Sequence, residues 1–162
     1  AREFAFDAHK GQMYGDKPYA THVGTVVAVA REFRIDTLGE EFVPACFLHD
    51  VVEDTEIEID EISDHFGAEV AALVAAVTCV KGLTRKEKFR EACPRIRSTP
   101  GAVLVKLCDR IANVRSSIAT GGSLLSMYAK EYGEFRVQLL DPADSVALPL
   151  WNELDRLLGF EK

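Results

Sequence analysis

Val103-Leu104-Val105-Lys106-Leu107-Cys108-Asp109-Arg110-Ile111-Ala112-Asn113-Val114-Arg115 is the stretch whose reading decides the fold class. Taken alone, Val103 to Leu107 passes for a buried strand. The longer register settles it as helix. Leu107, Ile111, Val114 and Ile118 recur at three- and four-residue intervals, which puts them on one face of a helix. A helix is therefore predicted over Ala102 to Thr120, opened by Pro100-Gly101 and closed by Gly121-Gly122. Asp109 and Asn113 sit four apart on it, a polar pair on an otherwise apolar inward side. In isolation that aspartate would simply pair with Arg110 or Arg115.

Working outward, the same periodicity predicts further helices. Ala1 to Met13 shows Phe4, Ala5 and Ala8 at helical spacing and breaks at Gly11. Tyr19 to Phe33 carries the stripe Val23, Val26, Val27 and Ala30, with His22 in its first turn. A third helix runs from Thr37 or Leu38 to Val52, then a short one from Ile59 to Phe66 ends at Gly67. Ala68 to Val80 is apolar, alanine-rich and expected to be central. Thr84 is suited to cap a basic helix, Arg85 to Arg97, which Pro94 should kink or end. Leu124 to Leu140 and Val146 to Leu158 follow, separated by Asp141-Pro142. With no credible run of paired strands, the expectation is an all-α single domain over residues 1–162, with about eight to ten helices and a central metal site.

Composition narrows the function classes. A chain of 162 residues buries a core without staples, and 48% hydrophobic with 28% charged residues reads as globular. No apolar run reaches membrane-span length and no signal-peptide core opens the chain. Cys46, Cys79, Cys93 and Cys108 lack metal-binding spacing, so buried free thiols and a cytoplasmic location are expected. The net charge of −7 argues against nucleic acid as a partner, and oligomeric state is left open. The charge is uneven, however. Lys81, Arg85, Lys86, Lys88, Arg90, Arg95 and Arg97 face only Glu87 and Glu91 in their segment, a patch suited either to a small phosphorylated ligand or to an ordinary exposed helix.

His49-Asp50-Val51-Val52-Glu53-Asp54-Thr55 is where chemistry concentrates. Read as helix, it sets Glu53 one turn beyond His49 and Asp54 one turn beyond Asp50. Eight acidic residues lie between Asp50 and Asp64, and Glu56, Glu58, Asp60, Glu61 and Asp64 read as a solvated face. His49-Asp50 is different, because Val43 to Leu48 leads into it and Val51-Val52 follows; a charged pair in buried sequence must be paired, hydrogen-bonded or metal-bound. If His22, His49, Asp50 and Asp109 converge, two imidazoles and two carboxylates make a mixed N/O site. Such a set favours Mn²⁺, Fe²⁺ or Zn²⁺ over Ca²⁺, and six-coordination favours Mn²⁺.

The order His22 … His49-Asp50 … Asp109 resembles the H…HD…D signature of the HD-domain metal phosphohydrolases. Three flanking stretches narrow the resemblance to (p)ppGpp hydrolases, over roughly residues 4 to 140. Ala8-His9-Lys10-Gly11-Gln12 with Pro18-Tyr19-Ala20-Thr21-His22 is similar to their A-H-x-G-Q … P-Y-x-x-H, residues 49–55 to their H-D-x-x-E-D-T, and residues 106–113 to their K-L-x-D-R-x-x-N. The chain resembles a small stand-alone alarmone hydrolase, related to the hydrolase domain of the RelA/SpoT enzymes. The resemblance implies a Mn²⁺ site at His22, His49, Asp50 and Asp109, with Glu53 and Asp54 positioning and deprotonating the attacking water. It implies Asn113 near metal and nucleotide, and removal of the 3′-pyrophosphate of guanosine tetra- or pentaphosphate. Lys10, Lys17, Lys81, Arg85 and Lys106 are the cations first expected on phosphates. One position departs: where the family usually has an Arg that stacks on guanine, this chain has Tyr14 in a short loop. Tyrosine stacks on a base without the guanidinium charge, which leaves another nucleotide open as substrate, and an alarmone-binding sensor as the non-catalytic alternative. His9 and His65 read as structural.

Overall fold

The computed structural model describes residues 1–122 and 124–160. Its hub is the helix read first: α8, Ala102–Ala119 in a series whose other members are α1 (Arg2–Ala8), α2 (Tyr19–Glu32), α3 (Phe42–Leu48), α4 (Val51–Asp54), α5 (Ile59–Phe66), α6 (Ala68–Val77), α7 (Arg85–Ser98), α9 (Leu124–Leu139) and α10 (Leu148–Leu158). Helix α8 packs against α2, α3, α6, α7, α9 and α10. It is surrounded because it is apolar on more than one face: Leu104, Val105, Leu107, Cys108, Ile111, Ala112 and Val114 are all buried. Ile118, the last residue of the expected stripe, is instead 43% exposed, beyond the reach of the core. Each fully buried large side chain here contributes roughly 1.5–3 kcal/mol of transfer free energy. The all-α expectation holds, and the acidic residues Glu56, Glu58, Asp60, Glu61 and Asp64 form a solvated face.

Four local expectations change. Helix α1 stops at Ala8, and a two-residue antiparallel ladder follows, Met13–Tyr14 (β1) with Lys17–Pro18 (β2), so paired strands do exist. Gly11 and Gly15 make the turns at φ 84° and 63°. The third helix starts at Phe42, after a 3₁₀ turn at Ile35–Thr37. Pro44 gives the reason: it has no N–H to donate, and a start at Phe42 places it in the first turn, where no partner is needed. The same helix ends at Leu48, and Asp50 (φ −106°, ψ −4°) separates it from α4. The His49 imidazole Nδ1 lies 2.9 Å from the Cys46 carbonyl, answering one of the orphan carbonyls of that helix end.

Finally, α7 continues through Pro94 to Ser98 rather than ending there. Ala92, Cys93 and Ile96 are buried on either side of the proline, and Arg95 donates to the Thr78 carbonyl at the end of α6 (2.8 Å), so tertiary contacts outweigh the one lost helix bond. At the start of α7, Thr84 and Glu87 form the full capping box. Before α8, Gly101 takes a left-handed conformation (φ 83°) with its Cα against the Phe42 ring. Among the described residues no helix is long and apolar enough to cross a membrane.

Candidate metal and phosphohydrolase centre

Helices α2 and α8, both sitting on α3, bring the sequence-distant polar residues together at the α3–α4 break. His22 Nε2 lies 3.7 Å from Asp50 Oδ2 and 3.6 Å from Asp109 Oδ1. His49 Nε2 lies 2.9 Å from Asp50 Oδ2 and 3.8 Å from Asp109 Oδ1. One ligand atom each from His22, His49 and Asp50 all fall within 4.8 Å of one another, and Asp109 Oδ1 closes the group from the α8 side. Both imidazoles are buried, at 3% and 2% exposure.

The tautomer of His49 tests whether a cation fits. A carbonyl only accepts, so Nδ1 carries the proton shared with Cys46, and Nε2 presents its lone pair to the cluster. Although Nε2 is 2.9 Å from Asp50, the direction is not that of a hydrogen bond, and the buried nitrogen has no other partner. Burial by itself lowers the imidazole pKa, but the Asp50 and Asp109 carboxylates outweigh it and push His49 up to about 9. The two carboxylates thus favour a positive charge beside Nε2, whether a proton or a cation carries it. The donor set, two imidazoles and two carboxylates, is one that binds divalent transition metals.

Surrounding groups hold these residues in place. Burial alone would raise Asp50, yet His49, His22 and Lys106 keep its carboxyl well below the usual range. Asp109 is treated alike: burial opposes, and Lys106 and His49 lower it. Tyr19 donates its hydroxyl to Asp50 Oδ2 at 2.5 Å while its ring stacks on His9, centroids 4.4 Å apart. His9 in turn lies 2.8 Å from Gln12 Oε1 through Nδ1. Lys106 Nζ is 3.0 Å from Asp109 Oδ2, and Asn113 donates to Asp109 Oδ1. Tyr14 stacks on the His22 ring (4.6 Å, 14°) and donates to Asn113 Oδ1 at 2.6 Å.

The group opens on a cleft of about 770 Å³. Glu53 and Asp54 line it next to Asp50 and Asp109. The Asp54 carboxyl is raised by partial burial and then by Asp50. The same cleft is also lined by Arg85, Lys86, Lys88, Lys106, Arg110 and Lys130. Of the expected phosphate cations, Arg85 and Lys106 are therefore at the cleft, together with Tyr14 and Asn113. Lys10, Lys17 and Lys81 are exposed and lie outside its lining, and Lys81 reaches only the Thr55 carbonyl (3.4 Å).

The sequence gives Tyr19 no role of its own and places Lys88 only within the basic patch, whereas its Nζ is 2.8 Å from Glu53 Oε1. Their signals were present: Tyr19 follows Pro18 at the start of α2, and Lys88 shares a helix face with Arg85. Arg110 was weighed only as a partner for Asp109. Its guanidinium instead lies over the Phe135 ring (4.4 Å) and 3.2 Å from Glu131.

A helical fold with a His/His-Asp/Asp cluster, a donor set suited to a divalent metal, beside a cation-lined cleft is that of an HD-type protein. The HD domain family matches residues 1–131, and the chain belongs to that family. The chain is 35% identical over 146 residues to guanosine-3′,5′-bis(diphosphate) 3′-pyrophosphohydrolase MESH1 of Mus musculus, covering 86% of this chain and 80% of the relative. Identity and coverage are the same for the MESH1 protein of Homo sapiens. A guanosine-3′,5′-bis(diphosphate) 3′-pyrophosphohydrolase of Haemophilus influenzae is 36% identical over 120 residues, 69% of this chain but 17% of that longer protein. Among solved structures, one described as a metazoan ortholog of SpoT that hydrolyzes ppGpp superposes with a TM-score of 0.77 at 26% identity, covering 96% of this chain and 92% of that one.

Proposed function

We propose that residues 1–162 act as a single HD hydrolase domain in the cytoplasm, hydrolysing the 3′-pyrophosphate of guanosine tetra- or pentaphosphate to GDP or GTP with Mn²⁺ as the metal. The observation that carries this is the convergence of His22, His49, Asp50 and Asp109 beside Glu53 and Asp54 on one cation-lined cleft. Those four side chains would hold the cation. A divalent ion there lowers the pKa of water and draws charge from phosphoryl oxygens. Tyr19, Lys106 and Asn113 fix the two carboxylates.

Glu53, on the cleft wall, takes a proton from the attacking water, and Asp54 orients that water. A bond forms between the water oxygen and the phosphorus nearest the ribose. The bond from that phosphorus to the 3′-oxygen breaks, and the 3′-oxygen leaves and picks up a proton. Arg85 and Lys106 hold phosphate oxygens, which a wholly acidic pocket would repel. Purified protein should release pyrophosphate from ppGpp with Mn²⁺ and not after chelation. Glu53→Ala should abolish release while retaining metal; full turnover in that variant rules out the assigned base.

One observation favours a second substrate. The Tyr14 ring is committed to His22 and its hydroxyl to Asn113, so it does not stand free to stack on guanine. A panel of nucleotides decides this: if another phosphorylated nucleotide is turned over and ppGpp is inert, the guanosine assignment falls and the centre remains.

A further inference from the structure

We infer that Lys88 is a phosphate-responsive cap on Glu53, holding the proton acceptor closed until a polyanion fills the cleft. This rests on the assignment of Glu53 as the acceptor of the water proton. Both oxygens of that carboxylate are engaged: Oε2 accepts from the backbone N–H of Cys79 at 3.1 Å, and Oε1 accepts from Lys88 Nζ at 2.8 Å. The two donors differ in kind. Cys79 N–H belongs to the chain just past the end of α6 and cannot move without it. Lys88 reaches across from α7 on a flexible stem, with 29% of its side chain exposed.

Lys88 also lines the same cleft as Arg85 and Lys86. Those two already answer carboxylates outside the metal cluster, Arg85 to Glu131 at 2.7 Å and Lys86 to Glu134 at 3.6 Å. Lys88 is the α7 cation whose carboxylate partner is the base itself. A phosphate entering there competes with Glu53 for that ammonium. When the ammonium transfers, Oε1 is freed to accept a proton, while Cys79 N–H still holds Oε2 and keeps the carboxylate aimed. Water activation is thereby tied to the presence of a phosphate at α7.

The test is a double-mutant cycle on the manganese-loaded protein, with inorganic pyrophosphate as the probe and calorimetry as the readout. If phosphate and Glu53 compete for Lys88, Glu53→Gln tightens pyrophosphate binding about tenfold, and that gain disappears in a Lys88→Met background. An equal gain in both backgrounds reports only the lost negative charge and overturns the inference, as does no gain in either. Steady-state kinetics adds a second readout: Lys88→Met should raise KM for ppGpp about tenfold with kcat kept within about threefold. A fall in kcat at unchanged KM would mean that Lys88 only steadies the carboxylate, and the inference fails. Because the calorimetric cycle needs no turnover, it stands or falls separately from the alarmone assignment; an inert wild-type protein that shows the coupling sinks the proposed function alone.

Discussion

Removing one oxygen atom at Tyr19 tests how the centre is held. In Tyr19→Phe the ring keeps its stack on His9 at 4.4 Å and its edge contact with Tyr14 at 6.0 Å, so packing is preserved. What is lost is the hydroxyl donated to Asp50 Oδ2 at 2.5 Å. A hydrogen bond to a charged acceptor contributes about 1.5–3 kcal/mol, and groups that orient metal ligands typically account for about 10–100-fold in metal affinity. The two scales agree, since about 1.4 kcal/mol corresponds to tenfold. Manganese titration at neutral pH, by calorimetry or chelator competition, should therefore show the variant binding about 10–100-fold more weakly. Turnover at saturating metal should recover most of the wild-type rate. Affinity within about twofold of wild type would show that Tyr19 does not orient Asp50 as a ligand, and the reasoning would be refuted.

Three further outcomes follow from the fold. Gly101→Ala drives a Cβ to 2.7 Å from two carbons of the Phe42 ring at a left-handed residue, so unfolding in denaturant should show a loss of about 2–4 kcal/mol. Leu107→Ala, at a fully buried position of α8, should lose about 2–5 kcal/mol in the same assay. Arg115 bridges Glu32 of α2 (2.6 Å) and Glu153 of α10 (2.6 Å), and its hydrogen bonds hold Glu32 below the ordinary carboxylate value of 4.5, while Arg156 and Arg115 do the same for Glu153. A lowered carboxyl contributes stability that is present above pH 4.5 and disappears as pH falls through the folded value. Glu153→Gln should thus be less stable than wild type by about 1 kcal/mol at neutral pH, with the gap closing in acid; a gap that widens in acid contradicts the assignment.

The sequence made α2, α5, α6 and α8 legible because each carries an apolar stripe at helical spacing and a glycine or polar stop, and those spans moved by three residues at most. The convergence of His22, His49, Asp50 and Asp109 was legible only through motif order, since spacing along the chain says nothing about how α2 and α8 cross α3. The interruption at Asp50, where the His49 imidazole meets the Cys46 carbonyl, was hidden because no glycine or proline marks it in the sequence. The start at Phe42 was readable in principle from Pro44. Net charge on the Lys81–Arg97 segment pointed to an anion site, but which cations face the cleft depends on how α7 lies over α8 and α9. Hence Lys88 was one basic residue of seven in the sequence and is the partner of Glu53 in the fold.

The central claim is that one divalent cation sits among His22, His49, Asp50 and Asp109. Crystals grown with manganese and measured with anomalous scattering at its absorption edge test it directly. The account predicts a single strong peak in direct coordination with the Nε2 atoms of His22 and His49 and the carboxylates of Asp50 and Asp109. A saturated crystal with no peak there, or with its peak at another group of residues, would contradict it.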